Sequence, residues 1–122
     1  MFLKTTIKAV GPDVADLVEN GVLILFAEGA PPELAEVSVL HKVEATSDKA
    51  PKPGDKIMIG KLAATITAIG PAAWKKVLDI GHVVINFNDA KSAERPGEIC
   101  ATMLAAADIM ANLNAGNIIS IS

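Results

Sequence analysis

The sequence predicts a mainly β fold: a small closed or nearly closed β-barrel with one or two short helices, formed by residues 1–122 as a single domain. Three observations carry this expectation. Apolar segments of strand length recur along the chain, each ended by glycine or proline, which is the rhythm of successive strands and turns. The chain has 122 residues, 51% of them hydrophobic, enough for one self-supporting core and too few for a second. Its mean hydropathy of +0.40 is high for a small domain. A closed β core, whose sheet is rich in valine and isoleucine, accounts for most of that excess.

Each element follows from local pattern. Phe2 to Val10 alternates loosely and ends at the turn signal Gly11-Pro12. Asp13 to Glu19 suits a short helical turn with Val14, Leu17 and Val18 on one side, stopped by Gly21. Val22 to Phe26 is a continuous apolar run of strand length. Ala30 to Leu34 reads as a loop or one helical turn opened by proline. From Glu36 to Ala45 the alternation places Val37, Val39, His41 and Val43 on one face, and Ser38, Leu40, Lys42 and Glu44 on the other. A polar linker, Thr46 to Gly54, follows.

Lys56 to Ile59 and Leu62 to Ile69 flank Gly60-Lys61, the spacing of a tight hairpin. Pro71 to Leu78 reads as a helix with proline at its first position and Gly81 beyond its end. His82 to Asn88 alternates strongly, with Val83, Ile85 and Phe87 inward. A loop follows through Pro96-Gly97. Ile99 to Leu113 is ambiguous: its alanines favour helix, while Glu98 to Ala101 competes as a short strand. Asn117 to Ser122 alternates as a terminal strand.

Composition removes several functional classes. A chain 20% charged and 51% hydrophobic is not intrinsically disordered. A net charge of −3 argues against binding a phosphate backbone, and 3% aromatic content without tyrosine removes a base-stacking platform. No nucleic-acid partner is expected. The single cysteine, Cys100, excludes an internal disulfide and suits a reducing compartment. Lys4 and Lys8 interrupt the first residues where a signal peptide needs an apolar core. The longest apolar tract, Ile99 to Met110, is broken by Thr102 and Asp108 and falls short of the ~20 residues that span a bilayer. A cytoplasmic protein is the expectation.

Common catalytic signatures are absent. There is no GxSxG elbow, GxxxxGK[ST] loop or GxGxxG fingerprint. Two separated histidines and one cysteine do not make a zinc site, so neither metal nor cofactor is expected. Asp13, Glu28, Glu33 and Asp79 are scattered and read as solvated surface. Cys100, beside Ile99 and Ala101, reads as a small buried hydrophobe rather than a reactive thiol.

The histidines are more informative. His41 lies on the valine face of its strand, either as a core histidine held by a hydrogen bond or as an imidazole at the rim of an apolar patch. In the second case apolar surroundings keep the ring neutral. A phosphoryl acceptor requires one ring nitrogen with a free lone pair and the other fixed. His82 lies on a more polar face, as a surface residue or as a helper near His41.

The residues that match a known pattern are Thr5-Thr6-Ile7, Leu23 to Phe26, Glu28-Gly29-Ala30-Pro31 and Leu34 before the His41 strand. The match resumes at Pro53-Gly54, Ile59-Gly60, Ile66 to Gly70, Leu78 to Val83, Phe87, Pro96-Gly97 and Gly116. In this order and spacing the chain resembles the glucitol/sorbitol-specific IIA component of the sugar phosphotransferase system. The resemblance implies a phosphohistidine relay on His41, with His82 in a supporting role. The phosphoryl donor would be the histidine phosphocarrier protein HPr, and the acceptor the IIB domain of a sorbitol permease, the only link to a membrane. Transfer would be in line between docked proteins, with the protein supplying positioning rather than a metal.

Two departures stand out. Val43 occupies the place of a second histidine seen in a family member, and Ile99 to Leu113 is longer and richer in alanine than the β-like stretch expected there. Lys42, on the face opposite His41, is a poor phosphate ligand if the strand is regular. The alternatives are a β-barrel interaction module without phosphotransfer, or a small-ligand carrier with structural histidines. Apolar residues beyond the needs of the core suit a docking ring around His41, and a chain this short and apolar suits a homodimer or an exchanged terminal strand.

Overall fold

Alternation decides which side chains of a strand face inward, and eight such strands enclose an interior just wide enough for those side chains to fill. The computed structural model describes residues 1–122. In chain order its elements are β1 (Leu3–Val10), α1 (Val14–Glu19), β2 (Val22–Ala27), α2 (Pro32–Ala35), β3 (Val39–Thr46) and β4 (Lys56–Ile59). There follow β5 (Leu62–Ile69), α3 (Ala73–Ile80), β6 (Val83–Asn86), β7 (Glu98–Ala101), α4 (Ala106–Asn112) and β8 (Ile118–Ile121). The strands close into a barrel in the order β1-β3-β2-β6-β7-β5-β4-β8. Closure removes the free edges that would otherwise invite pairing with another chain.

The barrel predicted from the sequence is therefore present, with four short helices where one or two were expected. Two neighbours are parallel, β2 with β3 and β6 with β7, and the remaining pairs are antiparallel. Inward residues of all the strands meet in one core that includes Leu3, Ile7, Leu25, Ile57, Ile85 and Ile121. Trp74 of α3 joins this core, donates its indole N–H to the Ser47 carbonyl at 2.8 Å and meets the Phe2 ring edge-on. No helix is long and apolar enough to cross a membrane.

Several boundaries differ from the sequence expectation. β3 begins at Val39 rather than Glu36, because α2 runs on into a turn at Glu36 and Val37. Gly11 makes that turn fit: a Cβ there would lie 2.2 Å from the Ala35 carbonyl oxygen and 2.4 Å from that of Glu36. The Gly11 and Asp13 amides donate to the carbonyls of Ser38 and Glu36, fastening the end of α2 to the turn after β1. Val37 is thus off the strand, while Val39 and His41 are buried and Val43 half-buried, as the alternation requires. The ambiguity over Ile99 to Leu113 resolves into both options, β7 at its start and α4 near its end. Helix α3 lies two residues later than expected and closes on Gly81, whose φ of 63° is the left-handed conformation that glycine adopts cheaply.

Candidate functional site

β3 lies between β1 and β2, and the end of α3 reaches its middle as well, so His41 meets residues from three elements. Ile7 of β1 and Ala27 of β2 flank His41 in register, and Thr5 pairs with Val43 in the same register, next to a β-bulge between Lys4 and Thr5. Along β1 the inward row is Leu3, Thr5 and Ile7, all fully buried, so a hydroxyl interrupts an otherwise apolar row. The C-terminus of α3 brings Gly81 onto the same point. The His41 ring is only 1% exposed and is held at both nitrogens.

Its Nε2 lies 2.6 Å from the Gly81 carbonyl oxygen, and its Nδ1 lies 2.6 Å from Thr5 Oγ1. A carbonyl only accepts, so Nε2 carries a proton. Burial holds the ring's pKa below its ordinary 6.5 and outweighs the Gly81 hydrogen bond, which acts the other way. The resting ring is therefore neutral. Its Nδ1 shares the Thr5 hydroxyl with the Lys42 carbonyl oxygen, which lies 2.8 Å from Thr5 Oγ1.

His41 and Gly81 both border a cavity of about 360 Å³ whose wall also includes Glu28, Lys42, Val77 and Asp79. Lys42 alternates outward from buried His41, as expected, and also borders the cavity. At its rim Leu78 and Ile80 are 39% and 48% exposed, large side chains for which the barrel offers no cover.

His82 lies on the other side of Gly81, and the two histidines border separate cavities. The second cavity, of about 290 Å³, is lined by Lys76, His82 and Arg95 among others. His82 Nδ1 donates to the Leu25 carbonyl at 3.1 Å, and its ring lies 4.8 Å from that of Phe26. The structure thus joins the two histidines through the Gly81–His82 peptide and along β2, not by direct contact. His82 anchors the residue whose carbonyl holds His41.

Cys100 is fully buried and donates its thiol proton to Glu98 Oε1 at 3.0 Å. Burial, with help from that carboxylate, pushes its pKa up to about 12. It is an inert core thiol. No three His, Cys, Asp or Glu side chains gather as metal ligands anywhere in the chain.

Sequence reasoning singled out neither Thr5 nor the Gly81 carbonyl as part of the site. The period-2 pattern did carry a signal for Thr5, a polar residue between Leu3 and Ile7 on an inward face. Nothing in a sequence marks a backbone carbonyl as the partner of an imidazole.

Comparison with known proteins fits this geometry. The family model of the "PTS system glucitol/sorbitol-specific IIA component" matches residues 2–120. The "PTS system glucitol/sorbitol-specific EIIA component" proteins of Shigella flexneri and Escherichia coli are each 32% identical to this chain over 99 residues, spanning 81% of this chain and 80% of theirs. The crystal structure of a PTS system IIA component from Enterococcus faecalis superposes with a TM-score of 0.79, covering 96% of this chain and 97% of that one. At 22% identity that likeness speaks for the fold alone.

Proposed function

The chain belongs to the glucitol/sorbitol-specific IIA component family of the phosphotransferase system, and from that premise we propose that it is a cytoplasmic phosphocarrier working through His41. His41 takes a phosphoryl group from phospho-HPr and hands it to the IIB domain of a sorbitol permease. The observation that carries this reading is the His41 imidazole itself: neutral, oriented at both nitrogens, and bordering a cavity. A neutral imidazole becomes a nucleophile once one of its two hydrogen bonds opens and frees that nitrogen's lone pair.

Phosphoryl transfer asks a protein mainly for placement and charge compensation. Thr5 of β1 and Gly81 at the end of α3 fix the ring, and Lys42 is the one lysine that borders the cavity. The exposed Leu78 and Ile80 provide an apolar rim on which two successive partners dock. His82 supports the site through Gly81, holding in place the peptide that orients His41. The chemistry is reversible because a phosphoimidazole on one protein is exchanged for one on another.

The test is incubation with phosphoenolpyruvate, enzyme I and HPr, followed by mass measurement. The expected result is the gain of one phosphate that is acid-labile and base-stable, absent in His41→Ala. No gain, or a gain that persists in His41→Ala, would favour the interaction-module or ligand-carrier reading instead.

A further inference from the structure

Three oxygen atoms and one ring compete for too few protons at His41. Thr5 Oγ1 lies 2.6 Å from His41 Nδ1 and 2.8 Å from the Lys42 carbonyl oxygen. A hydroxyl has one proton, and both the bare Nδ1 and the carbonyl can only accept it. In the resting ring, with the proton on Nε2, the Thr5 hydroxyl must point to Nδ1 and leave the Lys42 carbonyl without it. In the other neutral tautomer Nδ1–H donates to Thr5 Oγ1, and the hydroxyl turns to donate to the Lys42 carbonyl. Both arrangements satisfy every proton on this side of the ring, and they differ only in the direction of the chain.

The two tautomers are not equivalent toward the cavity. Thr5 is fully buried and seals Nδ1, whereas Nε2 meets Gly81, which borders the cavity. With its proton lost, Nε2 would face the Gly81 carbonyl lone pairs at 2.6 Å, a repulsive contact that releases the carbonyl and frees the nitrogen. We propose that Thr5 is a positioning residue for His41, a hydroxyl rotor whose turn from Nδ1 to the Lys42 carbonyl stabilises the tautomer in which Nε2 is the nucleophile. The Gly81 carbonyl is the resting lock on that nitrogen. This rests on the reading of His41 as the phosphoryl acceptor.

The step balances. When the ring swings away from Gly81 and Thr5 toward the cavity, Nε2 gives its proton to water there and Nδ1 takes one from the same water; Thr5 then closes over the new Nδ1–H, so the proton count of the ring is unchanged. The Nε2 lone pair then forms the new N–P bond. The donor's P–N bond breaks, and its electron pair returns to the donor's ring nitrogen.

The test combines ring ¹⁵N spectroscopy of the unphosphorylated protein with rates of phosphoryl acceptance in Thr5→Val and Thr5→Ser. The parent protein should show the proton on Nε2 at rest, with Nδ1 as a hydrogen-bonded acceptor. Thr5→Val leaves a buried Nδ1–H without an acceptor in the reactive tautomer, so acceptance should slow by about tenfold or more. Its pH for half-maximal acceptance should also move down, because the charged ring has lost an acceptor. Thr5→Ser, which keeps the hydroxyl, should recover the rate to within a few-fold.

A resting proton on Nδ1 in the parent, parental acceptance in Thr5→Val, or Thr5→Ser as slow as Thr5→Val would each overturn the proposal. If Thr5→Val does not fold, Thr5→Ala takes its place, and the parental spectrum stands as a test without any variant. Phosphate that persists in His41→Ala would instead sink the acceptor reading, while leaving the tautomer measurement of the resting ring valid. The two failures are therefore distinguishable.

Discussion

Gly81 joins the barrel's stability to the orientation of His41, and Gly81→Ala perturbs both. Its φ of 63° costs an L-residue about 1–2 kcal/mol. The new Cβ would also lie 2.9 Å from Ala27 Cβ and 3.4 Å from the Ala27 Cα and N. Ala27 is paired with His41 in the β2–β3 ladder, so its backbone cannot retreat without breaking the register. Overpacking of this kind costs typically about 1–3 kcal/mol. Together the two effects predict a loss of about 2–5 kcal/mol, a large share of an ordinary domain's stability of about 5–15 kcal/mol.

Urea unfolding of Gly81→Ala measures the loss, and the double variant Ala27→Gly/Gly81→Ala separates its causes. Removing the Ala27 methyl relieves the short contact but leaves the φ strain. Ala27→Gly should therefore cost less in the Gly81→Ala background than in the parent, giving a favourable coupling between two touching sites. A loss below about 0.5 kcal/mol for Gly81→Ala, the scale of neutral surface changes, would refute the steric reasoning. Additive effects of the two substitutions would refute the contact with Ala27 specifically.

Other consequences are independent of that one. His41 has its pKa lowered in the folded state by burial, so below about 6.5 the unfolded chain takes up a proton that the folded chain refuses. Its contribution is fully present above that pH and is lost as pH falls toward the folded value; urea unfolding of His41→Gln should show a shallower decline between pH about 7 and about 5. Cys100, fully buried and with its pKa pushed up to about 12, should resist a thiol reagent in the native protein and react fully once urea unfolds it. Gly11→Ala would drive a methyl into the Ala35 and Glu36 carbonyls, and should lower the urea midpoint more than Gly116→Ala, where the Cβ meets nothing within 4 Å and the φ of 92° is the one source of strain. His82→Ala should slow transfer from phospho-HPr without abolishing the phosphorylated form, and a rate equal to the parent's would remove its supporting role.

Much of the fold is legible in the sequence because barrels depend on local alternation. Val39, His41 and Val43 share a face in the sequence and in the structure, and the hairpin at Gly60-Lys61 lies where its spacing puts it. What is not legible is long-range. The parallel pairing of β2 with β3, and of β6 with β7, depends on how the intervening segments cross the barrel, and no short window of sequence records that. The late start of β3 depends on Gly11, some 25 residues away, accepting the end of α2 against its bare Cα. The Ile99 to Leu113 segment misled because alanine-rich composition and strand-like Glu98 to Ala101 were weighed as rivals, although a loop separates two elements. At the site, the face of His41 was readable, but its environment was not: Thr5 is 36 residues away and Gly81 is 40. The cavity that His41 shares with Gly81 exists only after the barrel closes.

The most direct measurement is the location of the phosphate in the unaltered protein. After phosphorylation through HPr, fragmentation mass spectrometry under mildly basic conditions should place the modification on His41 in the peptide that spans β3. Phosphate on His82, whose Nδ1 is held by the Leu25 carbonyl while its Nε2 makes no hydrogen bond within the protein, would contradict the assignment of the acceptor.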